Sequence, residues 1–389
     1  MNVFHCKTSV DFSKVPNPCF VIEEDKLRRN LSLIQHVAQE SGAEIILAFK
    51  GFAWWRVFPI VKEYIHTATA SSLNEARLCF EEMKAKAHTY CVAIDDDEFD
   101  ELASYSSHIT FNSLNQWQKF KQKVKKFGIS PGIRVNPEYS EVKTMLYNPC
   151  SPHSRLGMTS EHFKPENQIM WEGLEGLHFH ALCENDSFTF EKTLRAFEEK
   201  FGHLIPSMKW VNFGGGHLMT AEWYDVNHLI GVLKDFRHRY PHLKVFLEPG
   251  SAFAWETGFL VAKILDIVEN NGVKTAILNV SFTDHMPDTL EMPYKPKILG
   301  SSQDPFPNAY AYRMGGLSCL SGDFMTEYYF PHELKSGDII VFHDMIHYTV
   351  VKTTMFNGIH HPSLCMLTSS GKFQLHRKFD YQDYKNRMC

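Results

Sequence analysis

The sequence predicts an α/β fold, a (β/α)8 TIM-like barrel, joined to a mostly β C-terminal domain that also takes the N-terminal strand. Three observations predict it. Eight short apolar runs alternate with helix-like segments between residues 23 and 252. Polar, reactive or glycine residues stand at the carboxyl ends of seven of these runs, where barrels gather their functional groups. After about residue 252 helical periodicity largely stops, and strand-like runs separated by turns take over. The boundaries read as 23–252 for the barrel and 1–22 with 253–389 for the β domain. A doubly wound open sheet is the main rival for the first part.

Residues 16–22 (PNPCFVI) read as a turn feeding a short strand, within a strand-like lead-in over 6–22 that returns to the β domain. Residues 24–41 place Leu27, Leu31, Ile34, Val37 and Ala38 on one helical face, and Gly42 stops the helix. The eight apolar runs follow at 45–49, 66–70, 89–93, 108–111, 132–135, 176–180, 209–213 and 244–247. Helical patterns lie between them at 72–86, 113–126, 187–201 and 221–239. Strands separated by helices imply parallel βαβ units, and eight of them approach the usual barrel size of about 250 residues. Residues 137–158 form a long loop rich in Pro, Asn and Ser, of the kind that is usually functional or poorly ordered. In the β domain, strands are expected at 259–267, 274–280, 338–343, 347–355 and 364–368.

The chain has 389 residues and a formal net charge of −5, so no strongly basic surface points to nucleic acid or anionic lipid. Nine cysteines are scattered without a CxxC or a zinc-like spacing, which points to a reducing compartment and no metal. No basic-then-apolar leader opens the sequence, and no apolar run is long enough to span a bilayer. A cytoplasmic protein without a membrane partner is expected.

The run Ile45–Phe49 ends on Lys50. An ammonium is costly to bury, so desolvation favours a neutral amine that attacks carbonyls, including the aldehyde of pyridoxal phosphate. The innocent alternative is a lysine that snorkels to water. Gly214-Gly215-Gly216 and Gly250-Ser251 follow the seventh and eighth strands, where barrels often bind phosphate, although glycines there also serve as plain turns. No GxGxxG or GxxxxGK[ST] pattern is present, which disfavours dinucleotides and nucleoside triphosphates. His178 and His180 share one face of the sixth strand. Glu248 could pair with a rim lysine. Buried near a pyridine ring, it would instead keep the ring nitrogen protonated, as a pyridoxal electron sink requires. Lys50, a glycine cradle and Glu248 together describe a pyridoxal phosphate site.

With Pro18-Cys19-Phe20-Val21, Ala48-Phe49-Lys50, Ser154-Arg155-Leu156-Gly157, His178-Phe179-His180, Gly214-Gly215-Gly216, Glu248-Pro249-Gly250, Tyr348-Thr349 and Phe356-Asn357-Gly358, the sequence resembles the pyridoxal phosphate decarboxylases of the alanine racemase-like fold (fold type III) over nearly its whole length. Phe282-Thr283-Asp284-His285-Met286-Pro287-Asp288, Leu290-Glu291-Met292-Pro293-Tyr294 and Cys319-Leu320-Ser321-Gly322-Asp323 resemble the carboxynorspermidine/carboxyspermidine branch most. Ser251 and Ala181-Leu182-Cys183-Glu184 depart from the ornithine and diaminopimelate branches. The resemblance implies α-decarboxylation of a carboxylated triamine in polyamine biosynthesis. It implies Lys50 joined to the cofactor, His180 against its ring, Glu248 at the ring nitrogen and Arg134 at the phenolic edge. Gly215, Gly216 and Tyr348 would hold the phosphate. Cys319 would act as proton donor on a loop shared with Asp323, Asp284 would contact the distal amine, and Glu248 and Asp323 would also bind substrate. It also implies a homodimer with shared active sites, because the Cys319 loop would serve the partner. Other decarboxylases of the fold, an amino-acid racemase and a non-catalytic pyridoxal phosphate-binding regulator are the alternatives.

Overall fold

The computed structural model describes residues 3–389. The chain divides into two compact units, Asn30–Phe253 and the residues through Arg29 together with Ala254–Cys389.

The first unit is the expected parallel barrel. Its strands are Glu44–Ile45 with Leu47–Ala48, Ala68–Ala70, Ala87–Tyr90, Ser106–Phe111, Ser130–Arg134, Gly176–His178, Trp210–Asn212 and Lys244–Leu247. The first strand is broken at Ile46 and serves both neighbours. Its first half pairs with the eighth strand, Glu44 opposite Phe246, and its second half with the second, Leu47 opposite Ala68. The ring of parallel pairings is thereby complete.

The helices form where capping and periodicity coincide. Glu24–Ser41, which straddles the unit boundary, buries Leu27, Leu31, Ile34 and Val37 completely. Leu114–Phe127 starts at Ser113, whose hydroxyl accepts Gln116 N–H, and stops at Gly128 in the left-handed region. Ser187–Phe201 and Val226–Arg239 are capped by Asp186 and Asp225. The helix expected over 72–86 is α-helical only for Leu73–Leu78 and then widens into a π turn, Cys79–Met83. The crossover from strand five to strand six carries no α-helix, only short 3₁₀ turns such as Met145–Tyr147 and Pro165–Met170.

The amino-terminal half of the barrel interior is aromatic. His88 and His108 stack at 4.0 Å between ring centroids, and Phe246 and Trp210 set their edges against the pair. The Trp210 indole occupies the space above two glycines. A Cβ on Gly132 or Gly176 would fall 2.2 or 2.0 Å from its ring. Its Nε1–H donates to Ser130 Oγ at 2.8 Å.

The second unit is a mostly β sheet that includes the N-terminal strand. Cys19–Glu23 runs antiparallel to Gly258–Asn270 and parallel to Ser363–Leu367. Gly258–Asn270 also pairs with Ile339–His343 and, through its second half, with Val273–Leu278. The lead-in is a strand only from Cys19; earlier it makes a 3₁₀ turn, Phe12–Lys14. Tyr310–Gly315, Phe324–Phe330 and Phe373–Arg377 are strands without a counterpart in the sequence expectation. The strand expected at 347–355 is absent. Tyr348 sits at φ +41°, and two threonines of the segment point their hydroxyls at carboxylates, Thr349 to Asp288 and Thr354 to Asp284.

Trp210→Ala is expected to lower unfolding free energy by about 3–5 kcal/mol, the cost of emptying a large aromatic site. Urea denaturation followed by circular dichroism measures it.

Candidate active site

Lys50 lies just past the first strand, in a turn where Phe49 N–H still donates to Thr69 O (3.3 Å) and Gly51 N–H returns to Ala48 O (3.0 Å). The turn is pressed against the one that follows strand eight, so that a Cβ on Gly51 would lie 2.8 Å from Gly250 Cα. Lys50 is accessible to solvent although protein atoms surround it, which places it in a recess rather than on an outer face. Desolvation lowers the pKa of its amine most, and Arg134 lowers it further. Glu248, Glu75 and Cys183 act in the opposite direction and do not prevail.

Glu248, directly after strand eight, is buried. Its Oε1 accepts the Asn212 amide at 2.6 Å, Thr69 adds a hydrogen bond, and its backbone N–H donates to Gly214 O at 2.7 Å. Burial raises its pKa; Lys50, Asn212, Thr69 and Arg134 offset this only in part. Asn212 performs two tasks, because its Oδ1 also accepts Gly214 N–H at 2.8 Å and so shapes the glycine turn.

That turn admits no side chain. A Cβ on Gly214 would meet Phe179 O at 2.4 Å, on Gly215 Glu248 O at 2.3 Å, and on Gly216 Leu182 O at 2.3 Å. Gly214 and Gly216 also take positive φ. Gly215 N–H does not point into an open cradle as expected. It donates to His180 Nδ1 at 2.9 Å, so this N–H is already engaged and the glycine's contribution is close approach.

Arg134, the buried last residue of strand five, donates to His180 O at 3.1 Å and lies over the Tyr90 ring at 4.7 Å. Tyr90 Oη donates to Asn112 Oδ1, which also accepts Gly157 N–H, while Asn112 Nδ2 donates to Arg155 O, each at 2.8 Å. Tyr90 and Asn112 therefore tie the ends of strands three and four to the Ser154–Gly157 segment. Sequence reasoning did not single out Tyr90, Thr69, Asn212 or Glu75. Tyr90 and Asn212 are the last residues of their strands, whereas Thr69 lies within strand two and Glu75 in the first turn of the helix that follows it.

Ligand atoms of His178, His180 and Glu248 lie within 4.8 Å of one another. The hydrogen bonds argue against a metal centre. A nitrogen that accepts Gly215 N–H carries no proton, so neutral His180 is protonated on Nε2 and has no free lone pair to offer. The donor set does fit pyridoxal phosphate: an amine held toward its neutral form, a buried carboxyl group, and glycines that let backbone approach closely.

Four expected site residues lie in the sheet unit. Cys319 is exposed, and its N–H donates to Asn357 Oδ1 at 2.7 Å. Tyr348 holds a left-handed backbone, uncommon for a bulky residue and frequent at functional sites. Asp323 departs from a free amine-binding carboxylate. Its oxygens accept N–H from Phe282 (2.7 Å), Thr283 (3.2 Å) and Ser318 (2.9 Å), three of about four acceptor positions. Asp284 is fully buried. Oδ1 accepts Thr354 Oγ1–H at 2.7 Å and Phe356 N–H at 3.2 Å, while Oδ2 is buried without a partner. Burial raises its pKa, and nearby Asp323 adds to the effect.

A family model described as pyridoxal-dependent decarboxylase, C-terminal sheet domain, matches residues 19–346. The chain is 46% identical over 376 residues to a carboxyaminopropylagmatine decarboxylase of Synechocystis sp., covering 97% of this chain and 96% of the relative. It is 45% identical over 386 residues to a carboxynorspermidine/carboxyspermidine decarboxylase of Campylobacter jejuni, covering 97% and 99%. A solved structure of carboxynorspermidine decarboxylase complexed with norspermidine, from Campylobacter jejuni, matches with TM-score 0.88 and 44% identity, covering 96% of this chain and 100% of that one. A diaminopimelate decarboxylase from Helicobacter pylori, 16% identical, shares the fold at TM-score 0.80, covering 97% and 99%. Among the described residues no helix is long and apolar enough to cross a membrane.

The lowered pKa of Lys50 means a larger neutral fraction at neutral pH than an ordinary lysine has. Amine-directed acylation of cofactor-stripped protein at pH 7.5, read by peptide mass spectrometry, is expected to label Lys50 ahead of surface lysines. Glu248 raises the Lys50 pKa, so Glu248→Gln should carry the labelling to lower pH.

Proposed function

As the chain belongs to the pyridoxal-dependent decarboxylases, we propose that it removes the α-carboxylate of carboxynorspermidine and/or carboxyspermidine, yielding norspermidine or spermidine in polyamine biosynthesis. The single observation that carries this is Lys50, an amine held toward neutrality beside buried Glu248, in a chain 45% identical to a relative of that name.

Pyridoxal phosphate, when bound, supplies an electron-withdrawing ring that takes up the electron pair of the Cα–carboxylate bond as CO2 departs. Lys50 would hold it through its amine. Glu248 would pair with the ring nitrogen and keep the proton on it. Asn212 and Thr69 keep that carboxyl group in place. His180, fixed by Gly215, would cover the ring, and Arg134 would support its phenolic edge. Gly215 would leave room for the phosphate, which Gly216 and Tyr348 would hold. Cys319 returns a proton to Cα. Asp284 and Asp323 set the acidic surroundings that suit a polycationic chain. Asp323 does so while bracing its own loop, and Asp284 Oδ2 must become accessible to meet an amine.

The protein is proposed to be a cytoplasmic homodimer with shared sites. The exposure of Leu317, Cys319, Leu320 and Phe356 supports an interface there, since apolar surface gains from leaving water. A second substrate, carboxyaminopropylagmatine, is favoured by the 46% identity to the Synechocystis enzyme. It would place a planar guanidinium where the first reading has an ammonium, and a guanidinium prefers a carboxylate with both oxygens free. Asp284 has only Oδ2 free, which favours the amine.

Loaded with pyridoxal phosphate, the protein is expected to release CO2 from carboxynorspermidine or carboxyspermidine faster than from carboxyaminopropylagmatine, with products identified by mass spectrometry. Lys50→Ala should remove the visible absorption of bound cofactor, and Cys319→Ala should lower kcat by about 100-fold or more, as loss of a proton donor does. Ornithine turnover at a comparable rate would defeat the substrate assignment.

A further inference from the structure

His178 takes no part in the chemistry assigned above, yet it stands beside its central acid. It is the last residue of barrel strand six, its side chain is 2% exposed, and neither ring nitrogen has a hydrogen-bond partner. A buried imidazole with both nitrogens unmet calls for a reason. Its Nε2 lies 3.6 Å from Glu248 Oε2, a few tenths of an ångström beyond hydrogen-bonding reach. The other oxygen of the same carboxyl group is already held by Asn212 at 2.6 Å.

The ring is confined. Tyr90 meets it edge-on at 5.7 Å between centroids, and Tyr90 in turn lies beneath Arg134 at 4.7 Å. Besides burial, Arg134, Lys50 and His88 act on it. Together with burial they keep the imidazole neutral, so it has one N–H to give. Burial by itself drives Glu248 toward the neutral acid, which could not retain a cationic ring nitrogen as partner. Each hydrogen bond donated to its oxygens favours the carboxylate. Asn212 and Thr69 supply such bonds, and Oε2 faces His178.

We propose that His178 is a positioning residue for Glu248: its Nε2–H donates to Oε2 and, with Asn212 on Oε1, holds Glu248 as a carboxylate, so that the proton between Glu248 and the cofactor stays on the ring nitrogen. This rests on the pyridoxal phosphate assignment above. His178 acts through Glu248 and needs no contact with substrate. His180, two residues past the end of strand six, converges on the same place, since ligand atoms of His178, His180 and Glu248 lie within 4.8 Å of one another.

The test uses full-length protein loaded with pyridoxal phosphate carrying ¹⁵N in its ring. In the wild-type protein, histidine-labelled spectra are expected to show His178 protonated on Nε2. His178→Phe should move the ring-nitrogen resonance toward the unprotonated position and lower kcat by about 10- to 100-fold, as loss of an outer-shell partner does, with KM within about twofold. His178→Gln, which keeps a donor, should restore the protonated resonance and most of kcat. A His178 proton found on Nδ1 in loaded wild-type protein overturns the proposal, and that measurement does not depend on any variant folding. An unchanged ring-nitrogen resonance in His178→Phe overturns it too. Failure of wild-type protein to take up pyridoxal phosphate would remove the functional assignment as well, whereas an Nδ1 proton in loaded protein removes this proposal alone.

Discussion

The carboxyl end of the barrel depends on a carboxyl group removed from water. Glu248 is buried behind strand eight, and the same enclosure that raises its pKa lowers that of Lys50. Attraction between the two acts against both shifts, and for both groups desolvation is the larger effect. The neutral fraction of the amine is therefore larger than an ordinary lysine's without a dedicated base, and the nearby acid holds its proton more tightly than an exposed carboxylate. Such a pair is stable only if its polar atoms are met, which accounts for Asn212 and Thr69 on Glu248 and for Gly214 O beneath its backbone N–H.

Steric limits carry the arrangement outward. The three glycines after strand seven lie against carbonyl oxygens of residues 179, 248 and 182, so the turn joins the ends of strands six and eight to the Ala181–Glu184 segment. Gly215 N–H fixes the His180 tautomer, Arg134 holds the His180 carbonyl, and Tyr90 supports Arg134. The opposite half of the interior is filled by His88, His108, Phe246 and Trp210. Polar chemistry thus sits above a close-packed aromatic floor, a division barrels favour because catalytic groups and stability occupy opposite faces.

The sheet unit treats its acids differently. Asp323 and Asp288 are structural acceptors as they stand: Asp323 gathers three backbone N–H groups, and Asp288 takes the hydroxyls of Tyr294 and Thr349. Glu291 pairs with Lys352. Asp284 and Asp288 each keep one buried oxygen without a partner, and burial raises the pKa of Asp284.

The sequence by itself determined what short-range pattern can encode. Alternating apolar runs and helical stripes marked all eight barrel strands, including the brief Ala68–Ala70, and the change of texture after residue 252 marked a mostly β second part. Lys50, Gly214-Gly215-Gly216 and Glu248 were legible because each is chemically out of place at the end of an apolar run. Tyr310, Tyr312 and Met314 alternate as a strand should, and that signal was passed over. Tertiary structure alone decided matters that depend on distant residues. The 347–355 segment has strand-forming residues, but Thr354 bonds to Asp284 and Thr349 to Asp288, 70 and 61 positions away, and a turn results. Gly215 N–H is taken by His180, 35 positions earlier, and His178 meets Glu248 only because strands six and eight end at the same mouth. Periodicity records which way a side chain faces. Which atom it meets there is set by chain closure, and that no local pattern contains.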